Sequence, residues 1–434
     1  MPSAKSILVT GALILCTSAA EAADFSLSDM FQLHGYGTLG VAHSNQDQAD
    51  VIGAPNQNPG AGYSSAWTPN LDTKLGLQLD TKFTDRLTAV VQVISQNRYD
   101  NSYTGKPIHR YVPSVQWANL KWQITDDISF RAGRMVLPLM MFSEFRDVGY
   151  ANTLVRPPIE MYGIVPFSTN DGADLTWHHT FGSVTNSLVL FDGGASLRQP
   201  GLTLESHQKG ITDTVEVGSW TVRAAYMRSP IKTTTHVFDN SFYTNFIDAA
   251  GSLPNNQGDA AAAAAQDLYN RYQTTHWVPI DHYDLGAVYD PGRWFAMAEL
   301  YEDRNPGILG HVHSQWVAAG FRYKTVTPYV MYAHVSTSFP YEAGIPLGGL
   351  PAPLAAYGGG INGLIGVLQN VLNANERQLA FGVRWDFMKN LDFKAEYAHL
   401  QAGYGSTGDF QNAQPGFTPG SGADLISFTV DFVF

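Results

Sequence analysis

The sequence predicts an all-β fold, a transmembrane antiparallel β-barrel of about sixteen strands, and three observations lead there. The final stretch, 425–434, alternates between an oily face of Ile426, Phe428, Val430, Phe432 and Phe434 and a more polar face of Leu425, Ser427, Thr429, Asp431 and Val433. Runs of the same kind recur along the chain, joined alternately by short turns and long loops, the asymmetry of a barrel that crosses a membrane. Mean hydropathy is only −0.13, and no stretch past the N-terminal leader reaches the roughly 18 apolar residues that a spanning helix needs. A wall whose two faces alternate averages to such a value while keeping its oily side.

The leader itself, 1–22, has Lys5, an apolar run over 7–16 and the Ala20-Glu21-Ala22 pattern of a cleaved export signal. The fold is therefore expected to be one barrel domain over 23–434. Cys16 is the only cysteine and leaves with the leader, which excludes disulfides, thiolate catalysis and Cys-zinc sites. The net charge of −12 offers no basic footprint for nucleic acid.

The strands expected next are 31–43, with Phe31, Leu33, Leu39 and Val41 on one face, and 71–82, with Leu71, Leu75, Leu77 and Leu79 opposing Asp72, Lys74, Gln78 and Asp80. After the turn 83–86 come 87–97, 114–124 and 128–135, then a loop over 136–172. Further strands are expected at 173–180, 184–192, 211–217, 220–227, 281–289, 294–302, 314–323, 328–335, 378–387, 391–401 and 423–434. Aromatics near their ends, Trp122, Trp177, Trp220, Trp294, Trp316, Tyr329, Trp385 and Phe387, read as interfacial girdles. Residues 259–272 predict a loop helix, and 358–376 a Gly-rich turn followed by a short amphipathic helix.

A strand that closes the chain on Phe434 resembles the C-terminal signal of Gram-negative outer-membrane barrels, which their assembly machinery recognises. The resemblance is to general porins. It implies a sixteen-stranded barrel wide enough for an aqueous channel, a homo-trimer, contact with outer-membrane lipids, and a third long loop folded inward to narrow the pore. Physical chemistry points the same way for that loop. It is rich in Met, Phe, Tyr and Pro, and would leave too much apolar surface in water if it projected outward.

On an inward loop, Glu144, Asp147 and Glu160 are expected to face the basic wall residues Lys74, Lys121 and Arg131, with Arg134 at the base and Arg146 and Arg156 interrupting the acidic row. Opposed rows of charge order water and favour small polar solutes. Inward positions carry nearly balanced charge, so at most a weak cation preference at the mouth is expected.

Other chemistry finds little support. Gly35, Gly37 and Gly40 match G-x-G-x-x-G but lie within a strand, where glycines allow close packing, and cannot open a dinucleotide-binding helix. His178 and His179 point to opposite faces, and His311 with His313 lack a third ligand, so no metal is expected. The expected function is passive outer-membrane diffusion of small hydrophilic solutes and ions, with no catalysis and no cofactor. A substrate-specific channel of the same fold, a secreted all-β carbohydrate-binding or adhesive protein, and a barrel hydrolase are the alternatives.

Overall fold

The computed structural model describes residues 30–54, 57, 59–97, 111–199, 202–235, 240–272, 277–305, 310–338 and 342–434. The leader, Cys16 and the loop 98–110 lie outside them. The wall consists of β1 (Phe31–Ser44), β2 (Lys74–Lys82), β3 (Leu87–Gln96), β4 (Ser114–Gln123), β5 (Ile128–Val136), β6 (Thr169–Phe181), β7 (Val184–Gln199) and β8 (Leu202–Val217). It continues with β9 (Trp220–Arg228), β10 (Asp281–Tyr289), β11 (Trp294–Arg304), β12 (His311–Phe321), β13 (Val326–Ser338), β14 (Glu376–Met388), β15 (Leu391–Ala402) and β16 (Gly422–Val433). Each strand pairs antiparallel with the next, and β1 pairs with β16 as well as β2, so the sheet closes. Two short strands prolong neighbours across a break: Trp67–Thr68 pairs with β1 ahead of β2, and Ile231–Thr235 pairs with β8 beyond β9. The count is a sixteen-stranded barrel.

Closure removes the unpaired edge that a sheet in lipid cannot leave open. The seam shows how. Register runs from Tyr36↔Val433 to Ser44↔Leu425, and Gly35 and Phe434 exchange backbone hydrogen bonds of 3.0 and 2.9 Å. The Phe434 and Phe432 rings lie over Gly35 and Gly37, where an added Cβ would sit 2.1 and 2.4 Å from ring carbons. The glycines of the G-x-G-x-x-G match thus admit close packing as expected, but the covering surface is the last strand of the same chain. They lend no support to a subunit contact.

The two faces of the wall separate as the alternation predicts. Leu33, Leu39, Leu77, Leu285, Leu300, Val317, Ile426 and Phe428 are exposed on the outside, whereas Ser427, Thr429, Asp431 and Asp284 are buried inside. Trp122, Trp220, Trp294, Trp385 and Phe387 are outward and exposed close to the short turns, as an interfacial belt requires. Trp316 and Tyr329 are corrections: both are buried and inward. Each sits on the inward parity of its strand, where its polar atom finds a carboxylate.

Short connections such as Gly182-Ser183 and Gly218-Ser219 use glycine at φ 61° and 62°, as tight hairpins require. Among the described residues no helix is long and apolar enough to cross a membrane. Three expectations change. Residues 193–199 and 202–210 are not a loop; β7 and β8 extend their ladder to Gln199↔Leu202. Leu71 is buried in a turn before β2, not on its outer face. The glycines at 358–360 lie inside a helix, Ala352–Leu372, which packs with Asn240–Gly251 and the expected Asp259–Tyr272. Tyr243, Phe246, Leu268, Ile345, Ile361 and Ile365 form the core of this helical cluster among the long loops.

Candidate functional site

The connection from β5 to β6, 137–168, folds into the barrel. Its first limb hugs β8 to β11. Thr212 donates to Pro138 O at 2.5 Å, and the Glu299 carboxylate accepts from Met141 N at 2.6 Å, Tyr162 OH at 2.7 Å and Trp316 Nε1 at 2.7 Å. Three donors on one fully buried carboxylate satisfy a charge that would otherwise be costly so far from water. Leu139, Met140, Met141, Phe142 and Met161 fill the space around it.

The tip, 143–148, is half-buried throughout. The Arg223 guanidinium on β9 donates to both oxygens of Glu144 at 2.9 and 3.0 Å and to Met140 O at 2.8 Å. Asp147 reaches the opposite wall, where Gln116 Nε2 donates to it at 3.3 Å and Lys74 Nζ lies at 3.9 Å. The tip therefore bridges the lumen from β9 to β2 and β4.

The return limb is fixed more heavily. Lys394 donates to Gly149 O at 2.7 Å and Leu154 O at 3.2 Å, and Arg384 donates to Tyr150 O and Asn152 O at 2.8 and 2.9 Å. Gly149 has no room for a side chain, since its Cβ would meet Asp431 Oδ1 at 2.0 Å. Arg156 donates to both oxygens of Asp72 at 2.8 and 2.7 Å and to Ser427 Oγ at 2.6 Å, and its Nη1 lies 3.8 Å from Glu396. Val155 N donates to Tyr329 OH at 3.2 Å, which in turn donates to Glu396 at 2.8 Å. Glu160 is fully buried, its backbone carbonyl accepting from Ser314 Oγ at 2.7 Å. Burial, with the charges of Asp409 and Glu396 nearby, pushes its carboxyl up to about 8.

The residues expected at a constriction thus divide. Glu144, Asp147, Arg146 and Lys74 come together at the tip, and Lys121 and Arg131 occupy the inner wall, paired in register across β4 and β5. Arg131 donates to Asp174 on β6 at 2.6 Å. Arg156 and Glu160 are buried in the return limb and anchor it. Arg134 is a correction: it lies on the outer face and forms a 2.7 Å pair with Asp171. The parity of β5 turns Arg131 inward and so turns Arg134 outward. His178 is inward and bonded to Ser187, while His179 meets Asp127, the opposed orientations that adjacency on a strand dictates. Arg223, Glu299, Arg384 and Lys394 occupy inward positions of the wall, but the loop groups they hold could not be assigned from sequence, because those meetings are tertiary.

No family model matches the chain, and no curated protein is detectably similar in sequence. Solved structures are similar in fold. An outer-membrane OmpT of Vibrio cholerae aligns over 95% of this chain and 100% of its own at 10% identity, TM-score 0.51. An anion-selective porin from Comamonas acidovorans aligns over 93% and 99% at 11% identity, TM-score 0.51. OmpF of Salmonella typhi, in complex with daunomycin, aligns over 93% and 97% at 13% identity, TM-score 0.51. An oily-walled, sixteen-stranded closed sheet with a loop strapped across its interior is the fold of the outer-membrane porins, and this chain has it.

Proposed function

We propose that this chain is an outer-membrane channel through which small hydrophilic solutes and ions diffuse passively, without catalysis or a cofactor. The observation that carries the reading is the half-buried tip of the inward loop. Within a closed wall, surface that solvent reaches on an inward loop opens onto the lumen or its mouth, so the loop narrows the passage without plugging it. Its pinning to β2, β9 and β14–β16 would hold that narrowing at a set width. The constriction is assigned to Glu144, Asp147, Arg146, Lys74, Lys121 and Arg131. The net charge of −12, carried largely in turns and loops, gives the mouths at most a weak attraction for cations.

In the same reading residues 1–22 direct export and are removed, Phe434 presents the finished strand to the assembly machinery, and three copies associate in the membrane. The test is conductance of the refolded protein in a planar bilayer. Stepwise ohmic openings are expected, and a refolded, heat-modifiable protein that produces none would overturn the channel.

A further inference from the structure

The charges on the inward loop do not contribute equally to the passage. Both Glu144 oxygens are occupied by Arg223, Asp147 is held by Gln116 and Lys74, and Glu160 is fully buried. Arg156 is enclosed between Asp72 and Glu396. Arg146 differs from all of them. It is half-buried at the tip and makes no ion pair or hydrogen bond among the described residues. The small cavity that Arg146 lines is otherwise bounded by residues such as Met140, Ser143, Tyr162 and Val165, with no carboxylate in the lining.

On the wall, Arg131 and Asp174 are neighbours in register across β5 and β6. In the Arg131–Asp174 pair the arginine side chain is 29% exposed and the aspartate 2%, so solvent meets chiefly the cation.

We propose that the constriction prefers small anions, with Arg146 as the specificity-determining residue and the solvent-facing guanidinium of Arg131 adding to its basic side; this rests on the channel reading above. An uncommitted guanidinium presents paired N–H donors that fit carboxylate and phosphate oxygens as well as attracting simple anions. The acidic mouths oppose it weakly. Charges there are screened beyond a Debye length of about 8 Å at physiological salt, whereas an ion passing the tip comes within that distance of Arg146.

The experiment is the reversal potential of single channels in a potassium chloride gradient, for the wild type, Arg146→Glu and Arg134→Glu. Chloride is expected to be the more permeant ion in the wild type. R146E should shift the reversal potential toward potassium preference, and R134E, which changes the outer face by the same charge, should leave it in place. Heat-modifiable migration checks that each variant is folded. A potassium-preferring wild type, an unmoved R146E channel, or an equal shift in R134E would each overturn the assignment while leaving the channel intact. Absence of any conductance step in folded wild type would instead overturn the channel reading and the preference with it.

Discussion

Arg146 and Arg156 belong to one loop and carry the same charge, yet their surroundings are opposite. Arg156 lies in the return limb with its guanidinium enclosed by Asp72, Ser427 and Glu396, whereas Arg146 lies at the tip and makes no ion pair among the described residues, the nearby Glu144 and Asp147 being committed to Arg223, Gln116 and Lys74. Where the loop must be held in place, burial consumes charge in pairs and hydrogen bonds. In the proposed channel, charge at the tip is left for the solute, so that the same residue type would serve as an anchor or as a selectivity element according to how much water and how many partners surround it.

The contrast is broken most severely at the anchor. Arg156→Met leaves Asp72 and Glu396 buried without their cation, and removing one partner of a buried pair costs about 3–5 kcal/mol. A clear drop in the unfolding midpoint in detergent is expected, with noisy, enlarged conductance steps from a loosened limb. An unchanged midpoint would place Arg156 among the ordinary wall residues.

A moderate effect is expected from pH. Because Glu160 is pushed up from 4.5 to about 8 in the fold, the native state binds more protons than the unfolded chain between those values. Its contribution to stability is thus complete below pH 4.5 and declines as pH rises through 8. The midpoint should fall between pH 5 and pH 8.5 in the wild type, and Glu160→Gln should flatten that slope. Equal slopes in the two proteins would remove Glu160 from the anchor.

The smallest effect is expected at the tip. Lys74 and Asp147 are 3.9 Å apart and partly solvated, so Lys74→Gln should cost less than about 1 kcal/mol. The variant should keep its melting behaviour while reducing conductance or changing its noise. A loss of stability like that of R156M would erase the distinction between tip and limb.

Much of the architecture was legible because a wall between lipid and water must alternate, and because tight hairpins need glycine or polar residues at fixed places. Trp316 and Tyr329 show where that reasoning stops. Position near a strand end suggests a girdle, but the inward parity of each strand turns both side chains inside, where Glu299 and Glu396 accept their hydrogen bonds. The stretch Asp192-Gly193-Gly194 has the composition of a loop, yet its backbone continues the ladder against His207, Gln208 and Lys209. Gly358 sits within a helix because Phe246 and Leu347 pack against it, which overrides its weak helix propensity. At the candidate site, residue types and most wall faces were readable, with Arg134 the exception. Which carboxylate each cation takes was not, since the partners of Arg156 come from residues 72, 396 and 427, brought together only when the barrel closes.

The bond between Gly35 and Phe434 has a consequence for biogenesis. A polypeptide emerges from its amino end, so β1 must travel without its mate until β16 has been made. During that interval an orphan ribbon is open to mispairing with any neighbour. The seam between β1 and β16 is thus the joint whose making completes the closed wall.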